Sequence, residues 1–328
     1  GVWAFGWKRL SPKAHCIVAW LVFLGASLSA VWIILANGFM QNPLGYEIVG
    51  GRAELVDFMA VVTNSFAWQQ FVHTISGSYL AGAMFVMGIS AWHMLKKQNT
   101  DFFKAAFATA APLGLAMALF VAGQGHFHGN EVAAMQPSKL AAMEAHWHTQ
   151  KGAGMSLLVI PDEKNEKNLV EAFTIPGALS ILAFNDPDAE VKGLLDFPKE
   201  DRPPVLITFL AFRIMVGLGT LFIALMGLSW LWRSVIEQKT TLLRVLLVSI
   251  PLPVFALQAG WVVAEVGRQP WIVWGLMRTS DAHSVVVEPG QIWFSLIGMC
   301  VLYTVLGLAG YTLIAKYAAK GPHAPGHG

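Results

Sequence analysis

The sequence predicts an all-α fold, a polytopic membrane helix bundle of about six transmembrane helices with one long extracytoplasmic loop. Three observations predict it. Of the 328 residues, 55% are hydrophobic and only 13% charged, against roughly 45 to 50% and about 25% in soluble domains. Apolar runs of about 20 residues, enough to cross roughly 30 Å of hydrocarbon as helix, recur along the chain. The short connections are alternately rich and poor in Lys and Arg, as loops on the two faces of a membrane are. A net charge of +2 offers nothing for nucleic acid. Cys16 and Cys300, far apart in apolar runs, make neither a disulfide framework nor a CxxC metal site.

The opening stretch "VWAFGWKRL" reads as the tail of an apolar segment entering a basic loop, and residue 1 is Gly, so the natural N-terminus is expected upstream. Three spans follow, at about 14–38, 68–95 and 105–123, and residues 1–123 form a first membrane section. Residues 124–204 are a loop too long for the positive-inside rule, with seven Lys/Arg against twelve Asp/Glu. Spans at about 205–232, 242–266 and 291–315 make a second membrane section over 205–318. In the fifth span, Pro251 and Pro253 of "SIPLPVF" kink the helix and free backbone carbonyls. The tail, 319–328, is Gly/Pro-rich and expected to be disordered. One side collects Lys8, Arg9 and Lys13, then Lys96, Lys97 and Lys104, then Arg233, Lys239 and Arg244, then Lys316 and Lys320, which puts both ends of the chain in the cytoplasm. The opposite side holds only Arg52, Arg268 and Arg278 beyond the long loop, which is therefore extracytoplasmic.

An ionisable side chain at membrane depth is costly, and the default reading is a functional site facing the bundle interior. His73, Arg213 and Glu265 qualify. Arg268 lies at the boundary, where an anchor that snorkels to the headgroups is the alternative. Gln258, Trp261, Glu265 and Arg268 recur at spacings of 3, 4 and 3 and form one polar and aromatic stripe, which implies a shared neighbour. His73 is flanked by Gly77, Ser78, Gly82 and Ala83, small residues that admit close approach of a bound group or of another helix. Met215 in "FRIMVGLGT" reads by itself as an ordinary lipid-phase residue. Imidazole and thioether are the axial pair of a low-spin haem that shuttles electrons, while an open-sided carboxylate suits a haem that binds a gas. Arginines pair with haem propionates in bidentate geometry. His73, Met215 and Glu265 fit that chemistry, and their spacing leaves helix packing open as well.

In the loop, "PSKLAAMEAHWHTQ" sets Lys139 and Glu144 five residues apart across an apolar run. A base and a carboxylate so placed are suited to hold and deprotonate a quinol hydroxyl, and a solvated amphipathic helix is the competing reading. The triplets "HFH" and "HWH" give His126 with His128 and His146 with His148 only i, i+2 spacing, too weak a metal signal to name a site.

Taken in order, "ANGFMQNP", "FVHTISGSYLAGAMFVMGISAW", "KLAAMEAHW", "FRIMVG", "IPLP" and "AEVGRQPW" closely resemble subunit I of bacterial cytochrome bd quinol oxidases, from about Gly6 to Lys316. The resemblance implies a terminal respiratory oxidase of the bacterial cytoplasmic membrane that oxidises ubiquinol or menaquinol at the outer face. Electrons would pass through a low-spin haem b to a high-spin haem b and a haem d, or a further haem b, where O2 is reduced to water with cytoplasmic protons. It implies subunit II and small accessory subunits as partners. By the same match, His73 and Met215 are the low-spin haem ligands and Glu265 a high-spin haem ligand. Arg213 and Arg268 match arginines beside the haems, and Trp261 a tryptophan between them. Lys139 and Glu144 match the quinol-loop pair, and Ser29 and Asn37 match positions linked to proton and oxygen routes.

Two features depart from the family pattern. Its members carry further helices ahead of the first full span, with a histidine haem ligand and acidic proton-path residues that have no counterpart here. The loop resembles that of short-loop members, some of which lack haem d. Two other classes compete with the oxidase. A secondary transporter would show paired repeats, and the sequence has none. A non-catalytic electron-relay subunit would have no need of the Glu265 carboxylate.

Overall fold

The computed structural model describes residues 1–7, 9–284 and 286–322. Among them, five helices are long and apolar enough to cross a membrane, and a bent pair makes a sixth span if taken as one. The chain is a multi-pass helical membrane protein.

Helix α1 (Pro12–Gln41) starts at Ser11, whose Oγ accepts from Ala14 N at 3.3 Å, and Pro12 sits in the first turn, where no N–H is needed. Helix α2 (Ser65–Leu95) follows the buried Asn64, whose Oδ1 accepts from Phe66 N at 3.1 Å. Helix α3 (Thr100–Met135) runs on well past residue 123, where hydropathy ends the span. Its added turns are polar but satisfied: His126 pairs with Asn185 Oδ1 at 2.7 Å, and Asn130 Nδ2 donates to Leu182 O at 2.7 Å. Helix α4 (Pro137–Glu144) is short and lies in the long loop, and Ala145 after it takes the left-handed conformation that turns the chain away.

Helix α5 (Val205–Leu231) is followed by α6 (Thr240–Val248) and α7 (Leu252–Val266), which meet at 42°. Pro251 stands in the break and Pro253 in the first turn of α7, so the bend falls where the prolines remove backbone donors. Helix α8 (Pro289–Lys320) opens with a capping box between Glu288 and Gln291 and buries none of its residues, which leaves its apolar surface to lipid or another subunit. The expected disordered tail lies, from residue 323 on, outside the described residues.

Among the described residues four antiparallel strand pairs interrupt the helices, two of them with strands of four residues or more. Strands β1 (Tyr46–Val49) and β2 (Arg52–Leu55) follow α1, and β3 (Met155–Asp162) and β4 (Lys167–Ile175) form a hairpin in the long loop. At four to nine residues each, they are too short to stand out as spans in a hydropathy reading.

Contacts divide the chain into two compact units. The first joins Gly1–Gly77, Val121–Arg213 and Ala259–Arg278. It is centred on Phe66, Val132, Leu140, Met143, Leu179 and Val263, with a further cluster of Trp147, Leu194, Val205 and Phe209. The second joins Ser78–Phe120, Ile214–Gln258 and Thr279–Gly328, and packs Met84, Met87, Phe107, Phe222, Met226 and Leu246.

Within the first unit α1 and α2 touch at their smallest residues: a Cβ on Gly38 would stand 2.7 Å from Ala67 Cα. Close approach of this kind supplies the van der Waals packing that holds helices together where lipid offers no hydrophobic drive. Gly38→Val is expected to destabilise the protein by roughly 1–3 kcal/mol through overpacking, read as a lower melting temperature in detergent. Gly82→Ala, whose Cβ meets nothing within 4 Å, is expected not to lower it.

Candidate functional site

In the first unit the ends of α1 and α7 are joined by a chain of buried amides. Asn37 donates from Nδ2 to Glu265 Oε1 at 2.7 Å and accepts at Oδ1 from Gln70 Nε2 at 2.8 Å. The other oxygen of Glu265 accepts from Arg268 Nη2. One turn along α1, Gln41 donates to Ala264 O at 3.0 Å. Gln136, just before α4, donates to Gln41 O at 2.6 Å and to its Oε1 at 3.0 Å.

Lys139 closes this network. Its Nζ donates to Gln136 Oε1 at 2.8 Å and to Gln41 Oε1 and Ala264 O at 3.0 Å each. Three carbonyl oxygens match the three donors of an ammonium. Burial nevertheless pushes its pKa down to about 7, helped by the charge of Arg268 and opposed by that of Glu265, so at neutral pH the amine is poised to give up its proton. The stem fits because residue 267 is Gly: a Cβ there would lie 3.1 Å from both Lys139 Cγ and Cε.

His73, on α2, is held by a second amide pair. Gln124 donates from Nε2 to Gln69 O at 2.8 Å and to Gln69 Oε1 at 2.5 Å, which turns its own Oε1 toward His73 Nδ1 at 3.0 Å. A carbonyl oxygen only accepts, so Nδ1 carries the proton and Nε2 keeps its lone pair. The ring lies against Gly125, where a Cβ would be 3.0 Å from Cε1, and stacks on His128 with centroids 6.3 Å apart.

Lys139 and Glu144 do not form a contacting pair. Five residues on a helix are about 140° apart around its axis, so the two side chains leave α4 in different directions. Glu144 instead accepts from Arg213 Nη2 on α5 at 2.6 Å. Burial pushes the Glu144 carboxyl up to about 7, outweighing the neighbouring guanidinium. Glu144 also lines a cavity of about 290 Å³ in the long loop, beside His146, Trp147, Asn168 and Glu171.

Several donors and acceptors here are buried without a hydrogen-bond partner among the described residues: Arg213 Nε, Arg268 Nε and Nη1, Gln70 Oε1 and His128 Nδ1. Trp261 is half-buried on α7, one turn before Glu265, and Ser29 is exposed on α1. Met215 belongs to the second unit, partly buried on α5. Gln41, Gln70, Gln124 and Gln136, none of them a sequence candidate, carry much of the geometry. The signal that could have found them is a glutamine near the end of an apolar helix, where an uncharged amide is also costly to leave unpaired.

The cytochrome bd terminal oxidase subunit I family model matches residues 1–322. The cytochrome bd ubiquinol oxidase subunit 1 of Bacillus subtilis (strain 168) is 39% identical over all of this chain and 72% of its own length. The cytochrome bd-II ubiquinol oxidase subunit 1 of Escherichia coli (strain K12) is 34% identical over 99% of this chain and 76% of its own. Among solved structures, a bd oxidase from Geobacillus thermodenitrificans superposes with a TM-score of 0.86 at 31% identity, over 98% of this chain and 74% of that one. A shared fold at that level of identity, with the family's match over nearly the whole chain, is common descent: the chain belongs to the cytochrome bd terminal oxidase subunit I family.

Proposed function

We propose that this chain is the haem-bearing, quinol-oxidising subunit of a terminal oxidase in the bacterial cytoplasmic membrane, a quinol:oxygen oxidoreductase. His73 and Met215 would ligate a low-spin haem b, and Glu265 would ligate a high-spin haem. Arg213 and Arg268 would pair with haem propionates, and Trp261 would stand beside the haems. Haem d or a further haem b completes the set, and subunit II and small accessory subunits are the partners. Bound haem supplies the electron path from quinol to dioxygen.

The observation that carries this reading is His73. A hydrogen bond from Nδ1 to an oxygen that is itself fixed, leaving a lone pair on Nε2, is the arrangement that orients a metal-ligating imidazole. Two further features support it. The spare buried donors of Arg213 and Arg268 are suited to acidic groups such as propionates. Glu265 keeps its carboxylate charge-balanced by Arg268 while its side chain stays 38% exposed, open for a further bond.

Quinol oxidation is divided between two faces of α4. Lys139, near neutrality, receives a hydroxyl proton at Nζ when its amine is in the neutral form. Glu144, on the other face, accepts a proton at its carboxylate. Asn37, which donates to Glu265 Oε1, and Ser29 belong to the proton and oxygen routes.

The reduced-minus-oxidised spectrum of the assembled oxidase is expected to lose its low-spin b band in His73→Ala and in Met215→Leu and to keep it in His126→Ala. A band that survives both ligand changes would remove the axial assignment. Gln124→Leu frees His73 Nδ1 and is expected to weaken haem retention about 10- to 100-fold, measured by haem loss to an acceptor protein.

A pH profile tests Glu144. Below its pKa of about 7 the carboxyl is protonated and cannot accept a proton; above it the carboxylate can. Turnover with quinol is therefore expected to rise between about pH 6 and about pH 8, and the rise to be absent in Glu144→Gln.

A further inference from the structure

Quinol oxidation at Glu144 leaves a proton on a buried carboxyl that must be cleared before the next turnover, and the cavity in the long loop offers a way out. Its volume of about 290 Å³ is far above the ~10–15 Å³ that one water needs, and its walls are polar enough to hold several. Glu144 is buried, whereas His148 and Glu171, which line the same cavity, are exposed. The cavity therefore joins a buried proton acceptor to the surface.

The walls are organised around Asn168 and Glu171 of β4. Asn168 donates from Nδ2 to Ala145 O, next to Glu144, at 3.1 Å, and also to Glu171 Oε2 at 3.1 Å. Its Oδ1 accepts from Trp147 Nε1 at 2.9 Å, which fixes the amide. Glu171 Oε1 accepts from Ser156 Oγ at 2.8 Å. His146 Nε2 donates to Val191 O at 3.3 Å, so its Nδ1 is the ring atom able to accept a proton. Lys139 has no part in this cavity, since its three donors are taken by carbonyl oxygens on the other face of α4.

We propose that this cavity is the proton-release route of the quinol site, with Glu144 as its inner end, His146 and cavity water between, and Glu171 as the acceptor that delivers the proton to bulk solution. The proposal rests on the quinol-oxidase reading above. Quinol loses two electrons and two protons to become quinone. The electrons leave to the haems of the assembled oxidase. Each O–H bond that breaks on this side passes its proton to the Glu144 carboxylate, which returns to the charged form as the proton moves to water, to His146 Nδ1 and on to Glu171.

Glu171→Gln keeps the size of the side chain, and its bond from Ser156, while removing the titratable group. In membranes containing the assembled oxidase, it and His146→Gln are each expected to lower kcat roughly tenfold with KM for quinol unchanged. The solvent deuterium isotope effect on kcat should rise in both, and added imidazole, a mobile proton carrier, should restore part of the rate. Glu171→Asp should retain most of it. A structural defect would not respond to imidazole. Wild-type kcat and isotope effect in whichever of the two glutamine variants assembles would overturn the route. Glu144→Gln separates that failure from failure of the oxidase reading. If it is impaired while Glu171→Gln and His146→Gln are not, the quinol site stands and its exit lies elsewhere. If Glu144→Gln and Lys139→Met both oxidise quinol at the wild-type rate, the quinol assignment itself fails and the exit with it.

Discussion

Gln41 is fully buried at the end of α1, and the geometry of the site depends on how its one amide is shared. Its nitrogen is given to Ala264 O, and its oxygen receives both Lys139 and Gln136. No solvent is available there to correct a mismatch, so each partner must be where the amide requires it. That fixes α1 against the end of α7, and α4 against both. Asn37, one turn earlier, repeats the arrangement with Gln70 and Glu265. Hydrogen bonds of this kind contribute modestly one by one, but leaving any member unpaired costs the desolvation of a buried polar group. The network is therefore cooperative in practice, and it holds the only carboxylate of α7 in one place.

Charge balance follows from the same constraint. Glu265 is paired with Arg268 and Glu144 with Arg213, so neither carboxylate is left alone at depth. Each guanidinium keeps donors that its partner does not use, and these are the groups suited to an acidic ligand. Lys139 has no carboxylate partner in its hydrogen bonds, only neutral oxygens, and its charge, like that of Glu144, is insecure near neutral pH. Lys139 and Glu144, both pushed to a pKa of about 7, are suited to moving protons, while the spare guanidinium donors are suited to holding an acidic ligand.

Helix α4 separates two environments with eight residues. Lys139 points to the amides and the end of α7, and Glu144 to Arg213 and the loop cavity. Ala145, in a left-handed conformation, turns the chain directly after Glu144, so that His146, Trp147 and His148 continue along the cavity wall. A carboxyl at the seam between protein interior and a polar cavity is well placed to exchange protons with both.

The apolar runs, the positions of Lys and Arg, and the two prolines of "SIPLPVF" were enough to give the class of fold, the spans and the bend between α6 and α7, because burial in lipid demands long uninterrupted helices and proline removes a backbone donor wherever it stands. The intramembrane charges named Glu265, Arg213 and His73 for the same reason: an ion there needs a purpose. What sequence spacing could not give was partnership. It suggested Lys139 and Glu144 as a pair, yet they leave α4 about 140° apart and bond to different helices. It passed over Gln41, Gln124 and Gln136, whose amides carry no charge to betray them, and over the hairpin β3–β4, whose strands are too short to register as spans. One-dimensional pattern records how costly a residue is to bury, whereas which residue satisfies it depends on segments a hundred or more positions away, and only the tertiary structure decides that.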